Sequence, residues 1–197
     1  MPARSSVVAD PTLDALLSDY EANLAPVWDH RADGIFARWR GETGDFAAIA
    51  AALPSPLGAI VDLGVGYART WPIYAHARRA VGVDVSTRMI TLARANLPSD
   101  ASMELVVASM ESLPFSDGTF DVALAVRTLN HVPSASLAGA LREVRRIARI
   151  FVAVEAREVR VDPRLEFPHD YPSALADAGF RVRERVSLED ADLYVAE

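Results

Sequence analysis

From Gly58 onward, short apolar runs rich in Val, Ile and Ala alternate with longer stretches in which apolar residues recur at helical spacing. The apolar runs predict strands at 59–63, 80–83, 103–107, 120–126, 150–154, 180–186 and 193–196. Between most of them, helices are predicted at 69–79, 87–96, 134–147 and 171–178. This alternation favours a parallel sheet with right-handed crossovers. Only residues 187–192 join the last two strands, too few for a crossover helix, so that pair is predicted to be antiparallel.

The N-terminal segment has a different pattern, because residues 10–53 show helical spacing without strand-like runs. One apolar stripe is formed by Leu13, Leu16, Leu17 and Tyr20. Pro26 and Gly34 are predicted to interrupt the helical stretch, and Pro54-Ser55-Pro56 ends it. The chain is therefore predicted to be one domain overall, with an N-terminal helical lid at 1–57 and an α/β core at 58–197 that forms a doubly wound sheet.

The amino-acid composition excludes several kinds of chemistry. The 197 residues include no cysteine, and all 20 basic residues are arginine. Disulfides, thiolate nucleophiles, Cys-ligated metal centres and lysine Schiff bases are therefore excluded. The net charge of −7 disfavours a broad nucleic-acid footprint, and no apolar run approaches the roughly 20 residues of a membrane span. We expect a cytoplasmic protein that binds neither nucleic acid nor membranes; the sequence makes no prediction of oligomeric state.

Acidic and glycine residues cluster where the first two predicted strands end. Asp62, Gly64 and Gly66 follow the first strand, and Asp84 ends the second, 22 residues after Asp62. Open α/β sheets bind ligands at this edge. A dinucleotide fingerprint would need a glycine in place of Arg69 and has no use for Asp62, which repels a pyrophosphate. S-adenosylmethionine, with its sulfonium, ammonium and ribose diol, suits the two acids better.

Four motifs resemble those of class I S-adenosylmethionine-dependent methyltransferases, of the small-molecule type similar to the quinone-biosynthesis methyltransferases. They are Asp62-Leu63-Gly64-Val65-Gly66, Val81-Gly82-Val83-Asp84-Val85-Ser86, the stretch from Ser109 to Asp121, and Leu129-Asn130-His131-Val132-Pro133. The resemblance covers about residues 58–197 and implies a Rossmann-like doubly wound seven-stranded sheet whose last strand is antiparallel. The first 57 residues match only loosely, as a lid on the substrate side.

The resemblance implies a cofactor site for S-adenosylmethionine at these motifs. Gly64 and Gly66 would pass beneath the methionine moiety, with Asp62 near its ammonium group. Asp84 would accept hydrogen bonds from both ribose hydroxyls. The other positions carried over are Val65 in the glycine loop, Val85 and Met89 against the adenine, Ser109 and Met110 at its edge, and Val126 and Arg127 at the methionine end.

Two residues depart from the family pattern. Ala68 stands in place of the third glycine, which is a mild change if its φ is negative. Ser109 stands where the family often has an aspartate, so its hydroxyl would accept from the adenine amino group without charge assistance.

The candidates on the acceptor side are less specific. His131 is predicted to leave the fourth strand beside the reacting methyl, either as a general base or as a helix-initiating residue bonded to backbone. His30 in the lid is the second candidate base, although its pattern favours an exposed helical position. Glu155 could bind or deprotonate the substrate or pair with Arg157.

Further substrate-side candidates come from aromatic and loop residues. Trp28 could line a substrate pocket with Phe36 and Trp39, or all three could pack within the lid. His169 could close on the substrate from the loop before the last helix. No metal constellation is evident, because the four histidines form no H-x-x-x-H pair.

The resemblance implies transfer of a methyl group from S-adenosylmethionine to an O, N or C atom of a small metabolite. An alternative is an enzyme of the same fold that uses the cofactor for a non-methylating cyclisation or rearrangement. A binding module that retains only the fold is disfavoured, because Asp62 and Asp84 are both present.

Overall fold

The computed structural model describes residues 12–158 and 164–197. Its strands are β1 (Ala59–Leu63), β2 (Arg79–Asp84), β3 (Met103–Val107), β4 (Phe120–Val126), β5 (Ala148–Ala156), β6 (Val182–Ser187) and β7 (Ala191–Ala196). They form a seven-stranded sheet in the order β3-β2-β1-β4-β5-β7-β6. The first five strands pair in parallel, and β7 runs antiparallel to both β5 and β6. The predicted Rossmann-like sheet with its antiparallel last strand is confirmed.

The helices are α1 (Leu13–Leu17), α2 (Leu24–Trp39), α3 (Phe46–Ala52), α4 (Trp71–Tyr74), α5 (Thr87–Asn96), α6 (Ser134–Ile147) and α7 (Tyr171–Asp177). The predicted interruptions at Pro26 and Gly34 are wrong, because both residues lie within α2. Pro26 occupies the first turn, where a backbone N–H has no intrahelical partner, and a proline there removes no hydrogen bond. Gly34 is exposed, so its missing side chain leaves no gap in the core.

The helix predicted at 69–79 is shortened to α4, which covers only 71–74. The chain must reach the sheet immediately afterwards, since the Arg78 N–H donates to the Leu57 carbonyl at 3.2 Å and the Arg79 N–H to the Gly58 carbonyl at 3.4 Å. Pairing with the segment that leads into β1 therefore outweighs the local helical pattern.

The core lies on both faces of the sheet, with β1 at its centre. Every residue of β1 is buried. Val61 and Leu63 pack in one layer with Leu141 of α6, whereas Ile60 packs in the other with Ile49 of α3. A strand covered on both faces reads as a continuous apolar run, which is why the sequence predicted it well.

The lid helices are attached to the core by a third apolar cluster. Leu16, Leu17, Tyr20 and Val27 pack with Leu165 from the segment before α7. This cluster positions α2 above the carboxyl edge of the sheet, where its side chains line the same cavity as the ends of β1, β2 and β4. Within the described chain, no helix combines the length and the apolarity that a membrane crossing requires.

Candidate active site

A cavity of about 710 Å³ lies at the carboxyl ends of β1, β2 and β4, beneath α2. This volume is in the usual range for small-molecule sites. All eleven predicted cofactor positions line it: Asp62, Gly64, Val65, Gly66, Asp84, Val85, Met89, Ser109, Met110, Val126 and Arg127. The topology thus brings the four motifs together; the individual roles of these residues stay predictions.

The glycine loop after β1 has a backbone that requires glycine at two positions. Gly64 and Gly66 have φ values of 67° and 53°, which glycine adopts without steric cost. A Cβ on Gly64 would overlap the side chain of Thr128, because the exits of β1 and β4 lie against each other. A Cβ on Gly66 would approach only Met89 Sδ, at 4.0 Å. The face of Gly66 is therefore open to the cavity, whereas Gly64 is needed for packing.

Ala68 does not meet the condition, a negative φ, under which its replacement of glycine would be a mild change. Its φ is 59°, so a residue with a Cβ occupies the left-handed region in place of the third glycine. This conformation costs about 1–2 kcal/mol for an alanine. The side chain is 98% buried and packs in the core layer that contains Ile60, which offsets part of that cost.

Asp84 links the two motif loops through its carboxylate. Oδ2 accepts the Gly66 N–H and Oδ1 accepts the Ser86 N–H, both at 2.9 Å. Burial raises the pKa of Asp84, and the two N–H donors oppose that shift. Each carboxylate oxygen can accept a second hydrogen bond, so the predicted contact with ribose hydroxyls is compatible with these bonds.

Asp62 is buried at the end of β1 and faces α4. It accepts hydrogen bonds from the Thr70 hydroxyl and, at 2.7 Å, from the Tyr74 hydroxyl. Burial raises the pKa of Asp62 to about 6, against the lowering effect of these two donors. Asp62 thus ties the glycine loop to the following helix while also lining the cavity; its predicted contact with an ammonium group stays a prediction.

Ser109 and Arg127 lie on opposite walls. The Ser109 hydroxyl accepts the Glu111 N–H at 3.2 Å, which closes the turn after β3. Arg127 has a φ of 56° and pairs with Asp45 at 3.1 Å and Asp190 at 2.7 Å. The Arg127 side chain therefore joins the lid segment before α3 to the loop between β6 and β7.

His131 ends a 3₁₀ turn, Leu129–His131, after β4. Its Nδ1 lies 2.7 Å from the Leu165 carbonyl oxygen. Because a carbonyl only accepts, Nδ1 carries the proton, and in the neutral ring Nε2 is then a hydrogen-bond acceptor. Burial lowers the pKa of His131, which favours this neutral form. The ring lies edge-on to Trp28, with centroids 4.7 Å apart, and it lines the cavity.

Glu155 lies at the end of β5, where its carboxylate is directed at backbone. It accepts the N–H groups of Thr128, Leu129 and Asn130 at 3.1, 2.8 and 3.2 Å. Burial raises the pKa of Glu155 to about 7, although the three donors oppose the shift. The considered ion pair with Arg157 is absent from the described chain, since Arg157 bonds Asp192 at 3.4 Å. This geometry makes Glu155 a positioning residue for the turn that carries His131; its suggested contact with the substrate stays a prediction.

The other histidine candidates lie outside the main cavity. His30 is exposed on α2 and is not among the lining residues. His169 lines a second cavity of about 370 Å³, and its Nε2 donates to the Val132 carbonyl at 3.0 Å. Trp28 and Trp39 line the main cavity, whereas Phe36 packs edge-on against Tyr67 at 5.2 Å. The structure thus favours His131 over His30 as the candidate base.

Sequence reasoning missed the contact between α2 and α5. Asp29 accepts the Ser86 hydroxyl at 2.5 Å, the Arg88 N–H at 2.9 Å and the Thr87 hydroxyl at 3.2 Å. One turn further along α2, Asp33 pairs with Arg88 at 2.6 Å. The i, i+4 spacing of the two acids was visible in the sequence, but nothing local indicated that their partner is the N-terminus of α5.

Comparisons with known proteins decide the class of the central segment. Residues 61–150 match the family pattern described as a methyltransferase domain. This segment is similar to methyltransferase domains. The enzyme class predicted from the motifs is confirmed for it, whereas the small-molecule, quinone-biosynthesis subtype stays a prediction.

Solved methyltransferase structures are similar to this chain in fold. A SAM-dependent methyltransferase from Aquifex aeolicus is 18% identical with a TM-score of 0.70, covering 85% of this chain and 97% of the other. Magnesium protoporphyrin IX methyltransferase from Synechocystis, with bound SAH, is 15% identical with a TM-score of 0.74, covering 89% and 98%. A third structure, a Haloferax volcanii complex containing the Trm112 methyltransferase activator, is 21% identical with a TM-score of 0.69, covering 92% and 96%. At these identities the likeness shows the fold.

One curated protein is similar in sequence. It is an uncharacterized 37.1 kDa protein in transposon TN4556 of Streptomyces fradiae, 34% identical over 93 residues. The match covers 45% of this chain and 26% of that protein, so the chain spans about a quarter of the length of the relative that it matches.

Proposed function

We propose that this protein transfers a methyl group from S-adenosylmethionine to an O, N or C atom of a small molecule. The observation that carries the proposal is the single cavity lined by all eleven predicted cofactor positions and by His131. The segment at 61–150, which is similar to methyltransferase domains, contributes most of that lining.

The residues of the cavity fit the cofactor in three ways. The open face of Gly66 leaves room for a ligand against the backbone. Asp84 retains acceptor capacity beyond its two backbone bonds. The Tyr67 hydroxyl, which belongs to the cavity wall, is buried without a hydrogen-bond partner in the described chain. When bound, the cofactor supplies a methyl group already activated by its sulfonium.

The protein then has to align the acceptor, exclude water and take up a proton if the acceptor loses one. In this proposal Nε2 of His131 accepts that proton, because Nδ1 is committed to Leu165 and burial favours the neutral ring. Glu155 holds the turn that carries His131 through the Leu129 and Asn130 amides.

A small acceptor is supported by the roof that α2 places over the cavity. Asp29 attaches this helix to α5, and Arg127, which follows β4, holds the segment after α2 through its ion pair with Asp45. A bulky macromolecular segment would have to displace these contacts, and the net charge of −7 opposes nucleic acid.

The test supplies methyl-labelled S-adenosylmethionine and a bacterial small-metabolite extract to the full chain. We expect S-adenosylhomocysteine to form and the label to move to a product of low molecular mass, with Asp84→Asn as the impaired control. Label transferred only to protein or nucleic acid would contradict the small-molecule proposal. Conversion of an extract component with the cofactor recovered intact would support the non-methylating alternative instead.

A further inference from the structure

The underside of α2 presents one charged side chain near His131. Trp28, Arg31 and Ile35 recur at helical spacing and all line the cavity. The guanidinium carbon of Arg31 lies 5.8 Å from the Trp28 ring centroid, and Trp28 in turn contacts His131. Arg31 also acts on His131 electrostatically, in the direction that lowers the pKa of the imidazole. Arg31 therefore belongs to the His131 end of the cavity.

Four arginines of the described chain line the cavity, and Arg38 among them is exposed, with its guanidinium carbon 5.0 Å from the Trp39 ring centroid. Arg31 differs from the other three in its Nε, which is buried and has no hydrogen-bond partner within the residues that the structure describes. Arg127 is paired with two aspartates, and Arg69 donates to the Glu42 carbonyl at 3.0 Å. A buried donor left unpaired costs free energy, which a bound acceptor group would recover.

The other side chains that line the cavity near Arg31 are largely apolar. The cavity lining contributed by this end includes Leu24, Val132 and Leu165. One acid, Glu166, lies on the same wall and acts on His131; it has interactions of its own and forms no ion pair with Arg31 in the described chain. An apolar space with one unpaired planar cation suits a compound with an apolar body and a single carboxylate.

We propose that the methyl acceptor is an aromatic or aliphatic carboxylic acid whose carboxylate binds Arg31 beside His131. This inference rests on the proposed function, since it names the substrate class of the same cavity. The carboxylate of the cofactor itself is the other source of this chemistry. We assign Arg31 to the acceptor because it lies with Trp28 and His131 at the end of the cavity where His131 can reach the acceptor.

The experiment measures binding of matched acid and amide pairs to the full chain saturated with S-adenosylhomocysteine. The pairs are benzoate and benzamide, indole-3-acetate and indole-3-acetamide, and octanoate and octanamide. By calorimetry, we expect at least one acid to bind ten times or more tightly than its amide. Arg31→Met should remove this preference, Arg31→Lys should retain part of it, and Arg40→Met should leave it intact, because Arg40 is exposed and outside the lining.

Three results would overturn the inference. In the first, no acid in any pair binds better than its amide. In the second, the preference for the acid survives in Arg31→Met and binding of S-adenosylhomocysteine is unchanged. In the third, the preference survives but Arg31→Met binds S-adenosylhomocysteine ten times more weakly, which would assign the guanidinium to the cofactor. If the proposed function is wrong, the result is different, because the wild-type chain should then not bind S-adenosylhomocysteine. The acid and amide comparison on the unsaturated protein would then decide the role of Arg31 separately.

Discussion

At the cofactor end of the cavity, the decisive contacts are made by backbone amides of nearby residues, as where Asp84 accepts the N–H groups of Gly66 and Ser86. At the acceptor end of the cavity, side chains from segments distant in the sequence make the contacts. The Tyr20 hydroxyl donates to the carbonyl of His131, 111 residues away, and Trp28 of α2 packs edge-on against the His131 ring. Backbone contacts tolerate changes of side chain, whereas the acceptor end depends on individual side chains. We therefore expect substitutions at the acceptor end to alter turnover and the mobility of α2. Substitutions at the cofactor end should alter affinity for the cofactor and the stability of the fold.

The largest expected effect is at His131. If its Nε2 is the base, His131→Ala should lower turnover by about 10²–10⁴-fold, the usual size of general-base catalysis, with little change in cofactor affinity. The wild-type rate should fall on the acid side at a pH below the ordinary imidazole value of about 6.5, since burial lowers the pKa of His131. Steady-state kinetics across pH would measure both. His30→Ala, at an exposed position, is the matched control and should keep full turnover; equal losses in the two variants would contradict this assignment.

Glu155, whose carboxylate binds the turn that carries His131, should make the free energy of unfolding depend on pH. The pKa of Glu155 is raised from 4.5 to about 7 in the folded protein. Between these values the folded state holds a proton that the unfolded state has lost, so stability should fall as pH rises through this window. The expected total is roughly 3 kcal/mol, at 1.36 kcal/mol per pKa unit.

Urea unfolding at several pH values would measure this dependence, with Glu155→Gln as the comparison. The variant should lose this contribution and keep those of other buried acids, namely Asp62, whose pKa is raised to about 6, and Asp84, whose pKa burial also raises. Parallel losses of stability in wild type and variant would show that Glu155 does not carry the effect.

At the cofactor end, Asp84→Ala removes the acceptor for two backbone amides and for the predicted ribose contact. Charge-assisted hydrogen bonds contribute about 1.5–3 kcal/mol each, so affinity for S-adenosylmethionine should fall by at least tenfold. Asp84→Asn retains one acceptor oxygen and should lose less stability while still binding the cofactor weakly. Calorimetry on both variants tests this; unchanged affinity in a folded Asp84→Ala protein would exclude the ribose contact.

The contact between the lid and the core offers a test within a single helix. Asp29→Ala removes a carboxylate that accepts the Arg88 N–H at the start of α5, a change worth about 1 kcal/mol. We expect amide hydrogen exchange in α2 to accelerate about fivefold. Asp33→Ala breaks only an exposed ion pair with Arg88, which is worth about 0–1 kcal/mol, and should have a smaller effect. Equal acceleration in both variants would mean that Asp29 does not attach the roof.

The smallest expected effect is in the glycine loop. Ala68→Gly relieves about 1–2 kcal/mol of backbone strain but loses a buried methyl worth about 0.8 kcal/mol and increases the entropy of the unfolded chain. Its free energy of unfolding should therefore stay within about 0.5 kcal/mol of wild type. Gly66→Ala introduces the same strain at a φ of 53° without a gain in packing, and should cost about 1–2 kcal/mol. Thermal unfolding of the two variants compares them; changes of similar size and opposite sign would mean that packing of Ala68 contributes nothing.

Much of the fold was predictable, because its signals are local. The strands at 59–63 and 120–126 agree with the predicted bounds, since apolar runs report burial on both faces of a sheet. The strand at 103–107 also agrees, although it lies at the edge of the sheet and is only partly buried. That the predicted cofactor positions line one cavity could also be expected, because residues at the carboxyl ends of neighbouring parallel strands must meet at one edge. The interruptions predicted at Pro26 and Gly34 failed, since a first-turn proline and an exposed glycine are both compatible with α2.

The sequence by itself determined the α/β class, the antiparallel last strand and the edge of the sheet at which the motifs meet. Only the tertiary structure decided that Ala68 has a positive φ, that Glu155 binds the amides of the turn before His131, and that Arg31 faces the cavity with an unpaired Nε. The physical reason is the range of the interactions. Burial and chain connectivity act through neighbouring residues and leave a pattern in the sequence. Hydrogen bonds between segments separated by 26 to 111 residues leave no such pattern, because tertiary packing determines which groups come together.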